Sequence, residues 1–320
     1  MTEIVAGEYL TNEQSQSSWG GTEQMAQRMV KYIDPELLKP FQIIHSRVRE
    51  LNPDLKKILV CHDLHSDPEV KRLADPEYRK QFTKIVFVSN WQAQIYNLSL
   101  GIPYKEFVVI PNAIERFELK EKDYSGPIKL IYHTTPHRGL VILLPVIKEL
   151  SKHHDVTLDV FSSFGVYGWE ERDKPYEPLF KELKSLPNVT LHGAQPNSVV
   201  REKLQETHAF VYPSVWPETS CIAAMEALCA GNFVVHPNLA ALPETCEHGT
   251  VMYQFTENLD DHANVFYNSL FSLCNLIRNQ PDEMKSVAIR AASHYNTVYC
   301  WERVFQQWSN LLRALKDVKD

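Results

Sequence analysis

The stretch Val211-Tyr-Pro-Ser-Val-Trp-Pro-Glu-Thr-Ser-Cys-Ile-Ala-Ala-Met-Glu-Ala-Leu-Cys-Ala-Gly231 changes its character from one end to the other. The apolar run Ala209–Tyr212 predicts a buried strand, and the prolines that follow stop its continuation. After Glu218 the residues become small and helix-forming, which predicts a helix over 220–230 with the final glycine as its C-cap. The stretch therefore predicts a strand, a turn that carries Glu218, and a helix that carries Glu226.

The spacing of the two glutamates fits a particular ligand. Eight residues at about 1.5 Å rise place the carboxylates of Glu218 and Glu226 about 12 Å apart, near the length of a diphosphate with a sugar at each end. A carboxylate can accept hydrogen bonds from two vicinal sugar hydroxyls, and free N–H groups at a helix N-terminus bind phosphate. The expected free N–H groups are those of Ser220, Cys221 and Ile222. The competing interpretation is an ordinary amphipathic helix with Thr219 as its cap, and the glutamates alone favour it.

Short apolar runs and helical patterns alternate along the rest of the chain. This alternation predicts a doubly wound, parallel α/β sheet in each half. The predicted strands are Phe41–Ile44, Ile58–Cys61, Ile85–Val88, Val108–Ile110, Lys129–Tyr132, Val156–Phe161, Val189–Leu191, Ala209–Tyr212 and Phe233–Val235. The predicted helices are Met25–Ile33, Trp91–Leu98, Gly139–His153, Tyr176–Ser185, Val199–Thr207, Ser220–Ala230, Asp260–Asn279 and Asn296–Ala314.

The charged segment 120–127, which contains Gly126 and Pro127, is typical of a linker between domains. We expect an N-terminal domain of residues 1–119, completed by a tail helix over 296–320, and a C-terminal domain of residues 120–295. Ligands of doubly wound sheets bind at the carboxyl ends of the strands. The cleft between the two domains is therefore the expected site.

Composition excludes several classes of protein. The net charge of −7 argues against a nucleic-acid partner, since such proteins present a basic face. The six cysteines form no C-x-x-C pair, so we expect no zinc site, and their scatter suggests a reducing compartment. No signal peptide is apparent, and no apolar run reaches the 18 residues of a membrane span. We expect a cytoplasmic protein without integral membrane contact, and we leave a homodimer open.

Three further groups of residues stand where predicted strands end or predicted helices begin. Arg138 follows a strand and precedes a helix, where a guanidinium can pair with a diphosphate, and His133 could add a donor. His62 follows another strand and could donate to a sugar hydroxyl. Two glycines, Gly20 and Gly21, precede a helix and would let the backbone approach a ligand. Each has a plain alternative: a surface arginine, a satisfied strand-end histidine, a loop-tip histidine, or an ordinary loop.

Taken together, these motifs resemble the retaining nucleotide-sugar glycosyltransferases of family four, and in particular a subgroup with the turn SSPxRGL. The match is nearly continuous from Lys129 to Tyr253 and patchier in the first half. The motifs that carry the resemblance are Gly20-Gly21-x-Glu23, Val88-Ser-Asn-Trp91, Val109-Ile-Pro-Asn112, Thr135-Pro-x-Arg-Gly-Leu140, Pro187-Asn-Val-Thr-Leu-His-Gly193, Glu218 with Glu226, and Ala241-Leu-Pro-Glu244.

The resemblance implies the GT-B fold, with two facing Rossmann-like domains and a C-terminal helix that crosses back to the first. It also implies a role for each motif residue. Glu218 would face the donor sugar, His62 would be the cleft histidine, and Arg138 would neutralise the diphosphate without a metal. The donor-binding residues implied are Gly20, Gly21, His133, Arg138, Gly193, Ser220, Cys221, Ile222 and Glu226.

The resemblance predicts an enzyme that moves a hexose or N-acetylhexosamine from a nucleoside diphosphate sugar to a glycan, a lipid-linked sugar or a protein. Uridine and guanosine diphosphate both fit, and we expect uridine diphosphate; no cofactor is expected. The chain departs from the family's pattern at His133, where a second cation is usual, and at Thr219 and Ala113, where glycines are usual. Two alternatives stay open: a binding protein of the same fold without transferase activity, and a sugar-nucleotide epimerase.

Overall fold

The computed structural model describes residues 4–5, 8–9 and 21–316 of the chain. They separate into two compact units. The first contains the described residues up to Glu115, the segment Glu218–Ser220 and the residues from Tyr299 onward. The second contains Arg116–Pro217 and Cys221–Val298.

The strands and helices are numbered in chain order. The strands are β1 (Ile4–Val5), β2 (Glu8–Tyr9), β3 (Phe41–His45), β4 (Lys56–Cys61), β5 (Lys84–Phe87), β6 (Phe107–Val109), β7 (Ile128–Tyr132), β8 (Val156–Val160), β9 (Val189–Leu191), β10 (Ala209–Val211), β11 (Phe233–Pro237) and β12 (Val251–Tyr253). The α-helices are α1 (Gly21–Tyr32), α2 (Pro35–Leu38), α3 (Pro76–Arg79), α4 (Asn90–Leu100), α5 (Leu140–Leu150), α6 (Glu177–Lys184), α7 (Asn197–Leu204), α8 (Ile222–Cys229), α9 (Leu242–Cys246), α10 (Leu259–Asn279), α11 (Pro281–Val298) and α12 (Trp301–Lys316).

The first unit is built on a parallel sheet in the order β3-β4-β5-β6. Its strands are mostly apolar and mostly buried along their length, as expected for a parallel sheet that is covered on both faces. Helix α4 follows β5 with clear local signals: Ser89 caps its N-terminus by accepting from the Gln92 N–H, and Gly101 ends it at φ 65°. Helix α4 thus connects the parallel strands β5 and β6.

The second unit is built on a parallel sheet of six strands in the order β12-β11-β10-β7-β8-β9. From β7 the chain winds to one side through β8 and β9, and then returns to the other side of β7 with β10. The order therefore reverses between β7 and β10, which are hydrogen-bonded with Phe210 level with Ile131. Such a reversal leaves a crevice at the carboxyl ends of the two strands, where ligands of doubly wound sheets bind.

Every strand predicted from the apolar runs is present to within two residues at each end. The sequence analysis did not predict the strands β2 and β12 or the helices α2, α3, α9 and α11. The predicted tail helix over 296–314 is wrong in its start, since α11 continues through Val298 and α12 begins at Trp301. The break lies at Tyr299 and Cys300, which group with the first unit. The Tyr299 carbonyl accepts a hydrogen bond from the Ile114 N–H at 2.9 Å, and Cys300 pairs with Ile114 in an isolated parallel β-bridge.

Candidate active site

The loops that follow β7 and β10 touch each other through their backbones. Gly139, at the start of α5, has φ 120°, and a Cβ built there would lie 2.0 Å from the Pro213 carbonyl oxygen. Only glycine permits so close an approach and so unusual a φ. The glycine of the predicted Arg-Gly-Leu turn therefore locks the β7 loop against the β10 loop at the reversal of the sheet.

Arg138 is the last residue of a short 3₁₀ helix, Pro136–Arg138, that leads directly into α5. Its guanidinium carbon lies 5.8 Å from the centre of the Trp216 ring, close enough for a cation–π contact. The preceding His137 stacks on Phe164 at 5.1 Å and meets the edge of Trp216 at 5.0 Å. Aromatic rings from two other loops therefore hold the turn that presents the positive charge of Arg138.

Buried polar atoms gather at the carboxyl ends of β7 and β8. The His133 ring lies against Phe210 with ring centres 4.4 Å apart, and burial lowers its pKa to about 3, so it is neutral at neutral pH. Within the described part of the chain, four buried atoms here accept or donate no hydrogen bond. They are His133 Nε2, Thr134 Oγ1, Thr135 Oγ1 and Ser162 Oγ. An unsatisfied buried polar group costs about 1–3 kcal/mol, so this edge of the sheet is suited to a polar ligand.

Glu226 lies in α8 with its side chain almost fully buried. Its carboxylate accepts hydrogen bonds from Asn197 Nδ2 at 3.0 Å and from Arg201 Nη1 at 3.2 Å. Arg201 is held in turn by the Phe117 ring, 3.7 Å from its guanidinium carbon, and by the Arg116 carbonyl. These donors fix the orientation of the Glu226 carboxylate, which has about four acceptor positions in all.

The predicted start of the helix between the glutamates is wrong. Helix α8 begins at Ile222, its N-cap is Cys221, and no side chain caps it, so neither Ser220 nor the proposed cap Thr219 belongs to the helix. The helical basis of the 12 Å separation predicted for the carboxylates is lost with it, because a rise of about 1.5 Å per residue applies only from Ile222 onward. The chain from Pro213 to Cys221 is extended or bent, and its two prolines oppose a helix there.

Glu218 and Thr219 group with the first unit, which also contains His62. Thr219 Oγ1 donates a hydrogen bond of 2.8 Å to the His62 carbonyl, and the His62 N–H donates to Ser46 Oγ at 3.1 Å. Glu218 is buried at 5% exposure. Burial lowers the pKa of His62 to about 4, so its ring is neutral at neutral pH. Two residues that the sequence analysis assigned to catalysis therefore lie on segments joined by a hydrogen bond.

The remaining predicted ligand residues are glycines. Gly20 lies outside the described residues, and Gly21 is the first residue of α1. Gly193 follows β9 with φ 66°, and a Cβ built there would meet nothing within 4 Å. The space beside Gly193 is therefore open, as a position near a ligand requires.

Nowhere among the described residues do three or more His, Cys, Asp or Glu side chains gather in a way that could hold a metal ion. Within the same ranges, no helix combines the length and the apolar character that crossing a membrane requires.

Several contacts at this site were missed from the sequence. Asn197 and Arg201 stand four residues apart on α7, a spacing that puts both on one helix face and could have indicated a shared acid partner. Trp216 lies in the quoted stretch, but nothing local shows that its ring meets Arg138. The bond from Thr219 to His62 joins residues too far apart in the chain for any local pattern to reveal.

Comparison with known proteins agrees with this geometry. Residues 115–265, just under half of the chain, match the family model described as glycosyl transferases group 1. The chain is a glycosyltransferase. The enzyme is 20% identical over 284 residues to the lipopolysaccharide 1,2-N-acetylglucosaminetransferase of Salmonella typhimurium, covering 84% of this chain and 70% of that protein.

Solved structures resemble the enzyme along most of its length. Sucrose-phosphate synthase from Thermosynechococcus elongatus has a TM-score of 0.66 at 14% identity, covering 92% of this chain and 77% of that one. The Anabaena protein HepE in complex with UDP has a TM-score of 0.63 at 16% identity, covering 81% and 72%. The GT-B fold expected from the sequence is confirmed.

Proposed function

We propose that the enzyme is a retaining, metal-independent glycosyltransferase of family four, within the SSPxRGL subgroup. It transfers a hexose or N-acetylhexosamine from a nucleoside diphosphate sugar, with uridine diphosphate as the expected carrier. The acceptor is a glycan or a related molecule: a lipid-linked sugar or a protein. Two similar proteins support the donor, since HepE was solved with UDP and the Salmonella protein is an N-acetylglucosaminetransferase.

The observation that carries this proposal is the edge of the second sheet where its strand order reverses. The loop after β7 brings Arg138, a backbone turn closed by Gly139, and buried polar atoms without hydrogen-bond partners in the described chain. A diphosphate would bring negative charge to the guanidinium and acceptor oxygens to the hydroxyl and imidazole groups. The start of α5 adds the favourable end of a helix dipole.

Each residue then has a task in the transfer. The diphosphate becomes more negative as the bond to the sugar breaks, and Arg138 stabilises that charge where other enzymes use a metal ion. Glu218 accepts hydrogen bonds from hydroxyls of the donor sugar and stabilises the positive charge that develops on its ring. Glu226, oriented by Asn197 and Arg201, accepts from the ribose hydroxyls. His62 is neutral and donates to a sugar oxygen.

A binding and turnover experiment tests the proposal. Calorimetry with UDP, GDP and their sugars identifies the carrier, and mass spectrometry of donor with candidate acceptors detects transfer. We expect Arg138→Gln to weaken binding of the nucleotide by about 10- to 100-fold, since a charge-assisted contact contributes roughly 1.5–3 kcal/mol. Glu218→Gln should bind donor nearly as well as the wild type and lose at least about 100-fold in kcat.

Two controls separate the alternatives. Activity that persists in excess EDTA agrees with charge neutralisation by Arg138, whereas loss of activity that Mg²⁺ restores contradicts it. Binding of nucleotide sugar without consumption on any acceptor would favour a binding protein, and isomerised donor without acceptor would favour an epimerase. The cytoplasmic location and the homodimer stay predictions.

A further inference from the structure

Two histidines meet at the carboxyl ends of neighbouring strands in the first unit. His45 is the last residue of β3, and His62 follows the last residue of β4. His45 Nδ1 lies 2.9 Å from His62 Nε2. The ring planes differ by only 11° and the ring centres lie 5.1 Å apart, which with the short N···N distance fits an edge-to-edge N–H···N hydrogen bond between the two imidazoles.

The two rings are neutral at neutral pH. Burial lowers the pKa of His62 to about 4, and burial together with the neighbouring His62 lowers the pKa of His45 well below its ordinary value. A neutral imidazole carries one hydrogen, on one of its two nitrogens. One ring must therefore donate and the other accept, and the choice decides which nitrogen of His62 carries its hydrogen.

We propose that His45 is a positioning residue that donates from Nδ1 to His62 Nε2 and so fixes His62 in its Nδ1–H form. This inference rests on the proposed role of His62 as a donor to a sugar oxygen. With Nε2 engaged by His45, Nδ1 is the nitrogen that can face a substrate, and it must carry the hydrogen in order to donate to a sugar oxygen.

The backbone around His62 supports this role. Its N–H donates to Ser46 Oγ, and its carbonyl accepts from Thr219 Oγ1. These bonds hold the main chain of His62, and the contact with His45 holds its ring. The same threonine follows Glu218, so the segment that fixes the main chain of His62 also carries the glutamate proposed to face the donor sugar.

The chain offers a matched pair of variants. His45→Asn keeps an N–H donor near the position of Nδ1, whereas His45→Leu has nearly the same size and no donor. Nitrogen-15 NMR on histidine-labelled full-length protein reports which nitrogen of each ring is protonated, and His62→Gln identifies the His62 signals. We expect His62 as the Nδ1–H form in the wild type and in His45→Asn, and a shift toward the Nε2–H form in His45→Leu.

Kinetics give a second readout. We expect His45→Leu to lose about 10- to 100-fold in kcat while its donor KM changes by less than about threefold, and His45→Asn to retain most of the rate. Thermal unfolding of the variants verifies that they are folded.

Three results would overturn the proposal: an Nε2–H form of His62 in the wild type, an unchanged form in His45→Leu, or equal loss of kcat in the two variants. The NMR measurement needs no sugar. If its result holds and the wild type consumes no nucleotide sugar, the proposed transferase function fails while the control of the His62 tautomer by His45 stands.

Discussion

Replacing Gly139 by alanine tests the contact between the loops after β7 and β10. The new Cβ would lie 2.0 Å from the Pro213 carbonyl oxygen and 2.8 Å from its carbon. Both are backbone atoms, so no side chain can turn aside to relieve the overlap. The φ of 120° adds about 1–3 kcal/mol of backbone strain, and the forced repacking adds about 1–3 kcal/mol.

We therefore expect Gly139→Ala to lower the free energy of unfolding by about 4 kcal/mol, a large share of the roughly 5–15 kcal/mol of a typical domain. Calorimetry should show a fall of about 10 °C in the melting temperature of the second unit. The displaced turn should also weaken UDP binding, because it carries Arg138.

Gly249→Ala is the matched control in the same unit. It also has positive φ, 72°, but its new Cβ would meet only the Ala291 Cβ at an ordinary 3.5 Å. It should cost about 1–2 kcal/mol, the strain of a left-handed residue alone. If Gly139→Ala is no more destabilising than Gly249→Ala, the two loops do not pack as described and the site built on them is wrong.

Three further predictions concern the second unit. Glu226→Ala should lower the free energy of unfolding by about 3 kcal/mol in urea titrations, because Arg201 loses its buried partner, and the added change Arg201→Met should recover part of this; a purely additive double variant would contradict the pairing. Burial holds the pKa of His236 at about 4 in the folded chain, below the unfolded value of about 6.5, so its contribution is complete above pH 6.5 and is lost as the pH falls toward 4. Urea titrations should show a loss of about 2 kcal/mol from this group between pH 7 and pH 5, and a His236→Gln variant with an equally steep decline would refute it. Gly193→Ala should leave stability within about 1–2 kcal/mol and weaken UDP binding about tenfold if the open space beside it holds ligand, and an unchanged Kd would exclude that position.

The fold and the motif turns could be predicted because their signals are local. Parallel strands buried on both faces are continuous apolar runs, and the chain shows them in both units. The Arg-Gly-Leu turn was identified from a resemblance, and the structure gives its physical reason: Gly139 has a φ that other residues rarely adopt and sits against a backbone carbonyl.

The contacts that orient the site could not be predicted, because they join segments far apart in sequence. Nothing near Glu226 shows that Arg201 binds it, and nothing near His62 shows that His45 does. The helix start was misplaced for a related reason. Composition favoured helix from Ser220, but Ser220 belongs with the first unit, and that packing overrides propensity.

The contacts of Arg201 with Phe117 and Arg116 determine where a fragment of the C-terminal half should begin. An expressed fragment that starts at the predicted linker, residue 120, lacks the Phe117 ring and the Arg116 carbonyl that hold this guanidinium. In such a fragment Arg201 would hold the Glu226 carboxylate less firmly, and we expect the fragment to bind nucleotide more weakly than the intact chain does. A recombinant C-terminal half should therefore begin no later than Arg116.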